Sequence, residues 1–227
     1  MSQVPTTRWS IVLATRGEGQ SAHEALAQLC AAYRPVLLAH FRRVEPAQAE
    51  ELTQSFFLHF LEQQLSARAE PARGSFRAFV FTAAENHRKG LHRQAVAAKR
   101  QAAIADDDAA VDNVADQDAD PQASFDRDWA LLVIGRARLR LRAEAERAGR
   151  LALFEAIQPY LVDAPEPADY ARVGASLQMP ANTVAVAVKR LRERLRNQVR
   201  HELEDTLVPG ADLDAELEWL KRALRKD

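Results

Sequence analysis

The chain has 227 residues, with 31 Lys and Arg against 32 Asp and Glu for a formal net charge of −1, and 47% of its residues are hydrophobic. A single cysteine, Cys30, excludes a disulfide scaffold and a Cys-rich zinc site, and apolar runs such as Trp129–Ile134 fall far short of the ~20 residues of a membrane span. With no signal-peptide layout in its first ten residues (MSQVPTTRWS), the chain is expected to be soluble, cytoplasmic and long enough for two domains.

In chain order nearly every stretch reads as helix, so the expected class is all-α. Ser21-Ala-His-Glu24 has the form of a capping box opening a helix with the stripe Leu26, Leu29, Tyr33 and Leu37. Pro46 suits the first turn of the next helix, which carries Leu52, Phe56 and Phe60. A third begins near Gly74-Ser75 and sets Phe76, Phe79, Val80 and Ala83 on one side. Gly90 within it costs about 1 kcal/mol relative to Ala and marks a bend.

From about 102 to 124 the pattern stops. Asp106, Asp107, Asp108, Asp112, Asp116, Asp118 and Asp120 alternate with small residues. Such a composition buries too little apolar surface to offset chain entropy, and it reads as a flexible acidic linker. Helical periodicity resumes at Phe125 and runs through Leu131, Ile134, Leu139 and Leu141. Further helices are expected at 150–162, 168–177 and 181–206, with a last one near 212–225. The organisation is therefore two helical domains, 1–101 and 125–206, joined by the linker 102–124 and followed by a helical extension, 207–227. That extension carries Leu213, Leu217, Leu220 and Leu224, for packing on the second domain or docking a regulator.

The neutral total conceals segregation. Residues 1–100 carry a balance of +5, residues 101–128 of −8, and residues 129–227 of +2. From Arg73 to Arg100 seven basic residues face only Glu85, and from Lys189 to Arg200 six face only Glu193. Blocks of this kind are interaction surfaces or solvated faces.

In the second basic block, Asp169–Leu177 reads as a short helix, Gln178-Met179 as a tight turn, and Pro180 as the opening of a longer helix. This is the helix-turn-helix layout, whose second helix enters a DNA major groove. Val184, Val188, Leu191 and Leu195 form the inward stripe. Asn182, Thr183 and Ala185, with Val186 at the edge, fall where base edges are read. Lys189, Arg190, Arg192, Arg194 and Arg196 are suited to phosphate oxygens. A solvated basic helix in a bundle is the alternative. The turn often carries Gly for a left-handed backbone, and here it has Gln178.

Together these stretches resemble the extracytoplasmic-function (ECF) sigma factors of bacteria. The resemblance rests on Gln48-Ala-Glu-Glu-Leu-Thr-Gln-Ser-Phe-Phe57, on Gly74-Ser-Phe-Arg-Ala-Phe79 running to Lys99-Arg100, on the acidic linker, and on Tyr170 to Leu195. The segment Thr7-Arg-Trp-Ser-Ile-Val-Leu13 resembles a subgroup linked to Ser/Thr protein kinases. The resemblance implies a non-enzymatic protein without cofactors that binds core RNA polymerase and directs it to promoter DNA. Its first domain, sigma region 2, would meet the polymerase clamp through Glu50, Glu51 and Gln54, and would melt and hold the −10 element with the helix from Phe76 onward. Arg77, Asn86, Arg88, Lys89, Arg93, Lys99 and Arg100 are its candidate DNA contacts. Phe76, Phe79 and Phe81 are candidate stacking faces, with core packing as the alternative. Its second domain, sigma region 4, would read the −35 element through Asn182, Thr183, Ala185, Lys189, Arg190 and Arg192, and touch the polymerase flap.

The clamp-binding stretch is poorer in acid than the family pattern: Gln48 and Ser55 stand where acids are common. Phosphorylation of Thr53 by a Ser/Thr kinase would add about −1.5 to −2 charge, close to the deficit. The alternative is a packed helical Thr with its hydroxyl satisfied, since a helical wheel puts Thr53 near the apolar side. The six His residues show no metal spacing, and no catalytic triad or phosphate loop is present in the sequence. Besides the promoter-recognition subunit, two readings stand: a polymerase-independent helix-turn-helix regulator and a bundle-type adaptor.

Overall fold

The computed structural model of the protein describes residues 12, 14–15, 19–70, 75–103, 120–161, 165–204 and 212–225. These residues are mostly helical, with no strand among them, and the chain is all-α. The helices are α1 (Gln20–Val44), α2 (Ala49–Glu62), α3 (Leu65–Arg68), α4 (Phe76–Ala103), α5 (Pro121–Arg147), α6 (Leu151–Ile157), α7 (Pro167–Leu177), α8 (Ala181–Glu204) and α9 (Leu213–Leu224). Short 3₁₀ turns at Pro46–Gln48 and Gln158–Leu161 precede α2 and follow α6.

Two compact units divide the chain. One holds Met1–Ala130, Asp205–Ala211 and Leu220–Asp227, and the other Leu131–Glu204 and Asp212–Trp219. In the first, the expected stripes are inside: Leu29, Tyr33 and Leu37 of α1 and Leu52, Phe56 and Phe60 of α2 are buried. Tyr33 lies flat on Trp129, with ring centroids 4.8 Å apart, and meets the edge of Phe76 at 5.5 Å. His40 sits between Phe81 and Phe125. Burial of rings such as Tyr33, Phe76, Phe125 and Trp129 supplies much of this unit's cohesion, each removing ~150–250 Å² from water. Phe125 and Trp129, expected to begin the second domain, thus belong to the first unit's core.

The second unit buries Leu141 and Ala145 of α5, Phe154 and Ile157 of α6, Val173 of α7, and Val184, Val188 and Leu191 of α8. Its interior also holds the fully buried Glu202, whose carboxylate meets Arg140 at 2.9 Å.

Three boundaries depart from the sequence expectation. The first helix starts at Gln20 with Gly19 at its N-cap, and Ser21 caps nothing there. The His23 amide instead reaches back to the Gly19 carbonyl. Helix α4 runs to Ala103 and α5 begins at Pro121, so both ends of the expected linker are helical. The cause at the second end is local: Asp120 accepts the Ala123 amide at 3.0 Å and Pro121 takes the first helical position. Residues 104–119 lie outside the described residues, as do Arg73, Gly74 and Thr7–Ile11. Finally, Gly90 sits within the continuous helix α4.

Candidate nucleic-acid interface

The helix-turn-helix layout is present in the second unit. α7 opens with a reciprocal cap, in which Glu166 accepts the Asp169 amide and donates its own amide to the Asp169 carboxylate, with Pro167 next in line. At the other end Gln178 adopts the left-handed conformation, φ 54° and ψ 40°. The Met179 amide donates to the Gly174 carbonyl at 2.8 Å, which turns the chain into α8. Gly174 is the residue that sequence reading missed. A methyl placed on it would lie 2.5 Å from the Met179 carbonyl oxygen, so the tight passage from α7 to the turn requires glycine.

Along α8 the stripe Val184, Val188 and Leu191 faces the core, with Leu195 half-buried below it. Asn182, Thr183, Lys189, Arg190 and Arg196 are exposed, Val186 is 42% exposed, and Ala185 is half-buried. Arg192 differs from expectation: its Nε donates to the Tyr160 carbonyl at 2.8 Å, which turns it toward α6 and its 3₁₀ extension. Arg194 pairs with Glu144, and Arg200 meets Asp214 at 3.3 Å. The cations projecting from the exposed face of α8 include Lys189, Arg190 and Arg196, with Glu193 among them. Beside this helix an apolar groove of about 560 Å³ runs between α6 and α8, floored by Phe154, Ile157 and Leu191 and rimmed by Arg150 and Arg190.

In the first unit, α4 carries the other basic block. At about 100° per residue its candidates split between two faces. Asn86, Lys89, Arg93 and Arg100 share one side and are exposed; Arg77, Arg88 and Lys99 share the opposite side. Lys99 is exposed there, but the other two are internal. Arg77 approaches Asp126 at 3.5 Å with only 11% of its side chain exposed. Arg88 pairs with Glu85 at 2.9 Å and Glu45 at 3.2 Å. These two guanidiniums hold the unit together and are not presented to phosphates. Lys89 lies 3.6 Å from Glu85 while remaining largely exposed.

Of the three candidate stacking rings, Phe76 is core and Phe81 packs on His40 and Phe125. Of the three, Phe79 lines a groove of about 500 Å³ bounded by α2, α3 and α4, whose other lining residues include His59, Arg68, Asn86, His87 and Gln94. The His59 and His87 rings stack there at 4.9 Å. His87 Nε2 is 3.0 Å from Ser55 Oγ. Burial, and then the neighbouring His59, hold the His87 imidazole below its ordinary range. Nothing in the sequence flagged this pair, because the two residues come from separate helices.

The α2 surface presents Glu50, Glu51 and Gln54 as expected, but Glu50 is already engaged by Arg34 at 2.8 Å and Arg42 at 3.7 Å. The same ridge continues through Leu58 and Leu61, exposed by 58% and 39%, which places an apolar patch beside the acids. Thr53 lies on the other side of α2, fully buried, and its hydroxyl donates to the Ala49 carbonyl at 2.7 Å. This is the packed arrangement, with the hydroxyl covered and its hydrogen bond made within the helix.

Among the described residues no group of three or more His, Cys, Asp or Glu could hold a metal ion, and no helix is long and apolar enough to cross a membrane. Comparison of the chain with family models, with curated proteins and with solved structures finds no match.

Proposed function

We propose that the protein is a promoter-recognition subunit of bacterial RNA polymerase, an alternative sigma factor of the ECF type, with no catalytic activity of its own. The observation that carries this reading is the second unit's α7–turn–α8 element. Its left-handed turn and Gly174 contact set Asn182 and Thr183 outward at the start of a helix suited to a major groove, with Lys189 exposed two turns further on, where the −35 element would be read. The exposed face of α4, with Asn86, Lys89, Arg93 and Arg100, supports contact with the −10 element, and the adjoining groove supports capture of an unpaired nucleotide. Glu51, Gln54, Leu58 and Leu61 are the surface for the polymerase clamp. The apolar groove beside α8 supports contact with the polymerase flap. The acidic stretch between the two domains acts as a linker through the polymerase cleft. Phosphorylation of Thr53 forms no part of the folded-state reading, because its hydroxyl is covered.

The decisive experiment is co-purification with core polymerase followed by promoter-specific run-off transcription. Start sites that appear only when the protein is added support the reading. Binding to a palindromic DNA site without any association with core polymerase would instead identify a polymerase-independent helix-turn-helix regulator.

A further inference from the structure

The groove between α6 and α8 lies wholly within the second unit, and its lining divides into an apolar floor and a cationic rim. Phe154, Ile157 and Leu191 are buried and form the floor, and Val186, 42% exposed, extends it toward solvent. Met179, from the turn between α7 and α8, lines the same groove. The charged groups in the lining are Arg150, Arg190 and Arg194, with no carboxylate among them. Glu144 pairs with Arg194 and offsets its charge. Arg150 and Arg190 make no side-chain hydrogen bond or ion pair with a described residue.

This combination restricts what can fill the groove. An occupant that covers the floor also takes Arg150 and Arg190 out of water, and a covered guanidinium requires a counter-charge. A purely apolar molecule leaves both cations unpaired, and a small hydrophilic anion leaves the floor wet. The fitting occupant has an apolar body and a planar anionic end, since a guanidinium fork matches a carboxylate through two parallel hydrogen bonds. Size separates a small molecule from a protein partner. A volume of about 560 Å³ lies within the range of about 300–1,000 Å³ usual for small-molecule sites. The lining is shorter than the about 20–30 residues a side of a standard protein interface.

We propose that this groove is a binding site for a free medium-chain carboxylate, its alkyl chain on Phe154, Ile157 and Leu191 and its head paired with Arg150 and Arg190. Thr183, Val186 and Arg190 line the groove and also belong to the exposed face of α8. A bound carboxylate therefore excludes DNA from that face; this consequence, unlike the site itself, rests on the proposed function.

The test uses the full chain with methyl-labelled methionine. The sequence holds two methionines, Met1 and Met179, and M179L identifies the signal of the second. NMR follows that methyl group as submicellar octanoate, octanol or acetate is added to the wild type and to R150Q/R190Q, with folding checked by circular dichroism. The expected result is a saturable shift of the Met179 methyl by octanoate, at least about tenfold tighter than by octanol and absent with acetate. In the double variant octanoate should fall to the affinity of octanol. Failure of octanoate to shift Met179 overturns the site. Equal affinity for octanoate and octanol in the wild type overturns the carboxylate class, whether or not the variant folds. Anisotropy of a labelled DNA duplex, with octanoate replacing acetate at constant ionic strength, reads the consequence. Release of the duplex as Met179 saturates supports exclusion, and unchanged duplex affinity overturns it. A chain that binds octanoate but no duplex under any condition overturns the reading of α8 as a DNA helix and leaves the carboxylate site standing.

Discussion

His40 donates from Nε2 to Glu85 Oε1 across 2.8 Å inside the first unit, joining α1 to α4. Arg88 binds the same carboxylate from one helical turn further on and reaches Glu45 as well. The other ring nitrogen of His40, Nδ1, is buried and has no hydrogen-bond partner among the described residues. Burial works to raise the Glu85 carboxyl, but the hydrogen bonds from His40 and Arg88 outweigh it and pull the pKa from 4.5 to about 2. The stability this contributes is fully present above pH 4.5 and is lost as the pH falls toward about 2. Urea unfolding across that range is expected to show progressive weakening. Glu85→Gln should lose about 2 kcal/mol at neutral pH, because it takes the charged acceptor from His40 and leaves half-buried Arg88 with the Glu45 carboxylate alone, and should lack most of the acid-dependent component.

Gly174 and Gln178 make opposite predictions within one turn. Gly174→Ala pushes a methyl to 2.5 Å from a backbone oxygen, which cannot swing aside like a flexible side chain. A loss of about 1–3 kcal/mol in chemical denaturation of the second unit is expected. Gln178→Gly relieves the left-handed conformation at φ 54°. It should stabilise the chain by a few tenths to about 1 kcal/mol, the gain being limited by the extra freedom glycine brings to the unfolded state.

Gly90 is the contrasting glycine. It lies inside α4, and an added Cβ would meet nothing within 4 Å. Gly90→Ala is therefore expected to raise stability by about 0.5–1 kcal/mol through helix propensity alone, readable as a shift in the urea midpoint.

Thr53 separates packing from modification. Thr53→Val keeps the shape of the side chain and should change stability by no more than about 1 kcal/mol. Thr53→Asp puts a carboxylate at a fully buried position and should destabilise the chain by several kcal/mol. After treatment of the folded protein with a Ser/Thr kinase, mass spectrometry should find Thr53 unmodified. Phosphate on Thr53 without loss of folded structure would contradict the packing described above.

On α8 two cations should respond differently. Lys189→Ala removes an exposed charge and should weaken DNA binding uniformly across sequences, lowering the salt slope by about 1. Arg192→Ala removes a hydrogen bond to the Tyr160 carbonyl. Its main effect should be on unfolding, by about 1–2 kcal/mol, with DNA affinity changing less than in Lys189→Ala. Anisotropy at several salt concentrations alongside urea melts measures both.

Much of the framework was legible from residue order. The stripes Leu29–Tyr33–Leu37, Leu52–Phe56–Phe60 and Val184–Val188–Leu191 are buried as their spacing requires. The helix-turn-helix boundaries fall within two residues of those expected, since Pro180 and the apolar period mark them locally. Ser21 misled because a capping box needs a chain turn in front of it, and here the turn is at Gly19, one residue before the helix opens. Asp120-Pro121 carried a genuine start signal that the surrounding acidic composition obscured.

The candidate surface was less legible. Composition placed basic residues on α4 and α8 but not which of them remain available. Arg77, Arg88 and Arg192 are all drawn inward, each by an acceptor far away in sequence: Asp126, Glu45 and the Tyr160 carbonyl. The His59–His87 stack likewise exists only because α2 and α4 pack together.

The division has a physical basis. A helix repeats every 3.6 residues, so apolar spacing, caps and turn residues report on neighbours within a few positions, and the sequence alone determines the all-α class, the inward faces of α1, α2 and α8, and the α7–turn–α8 layout; Leu131 and Leu139, read on the same period, are exposed. Hydrogen bonds and ion pairs are chosen by whichever partner the packed helices bring within about 3 Å. Only the tertiary structure decides that Thr53 is covered, that Arg88 faces Glu45 and Glu85, and that two histidines from different helices share one groove.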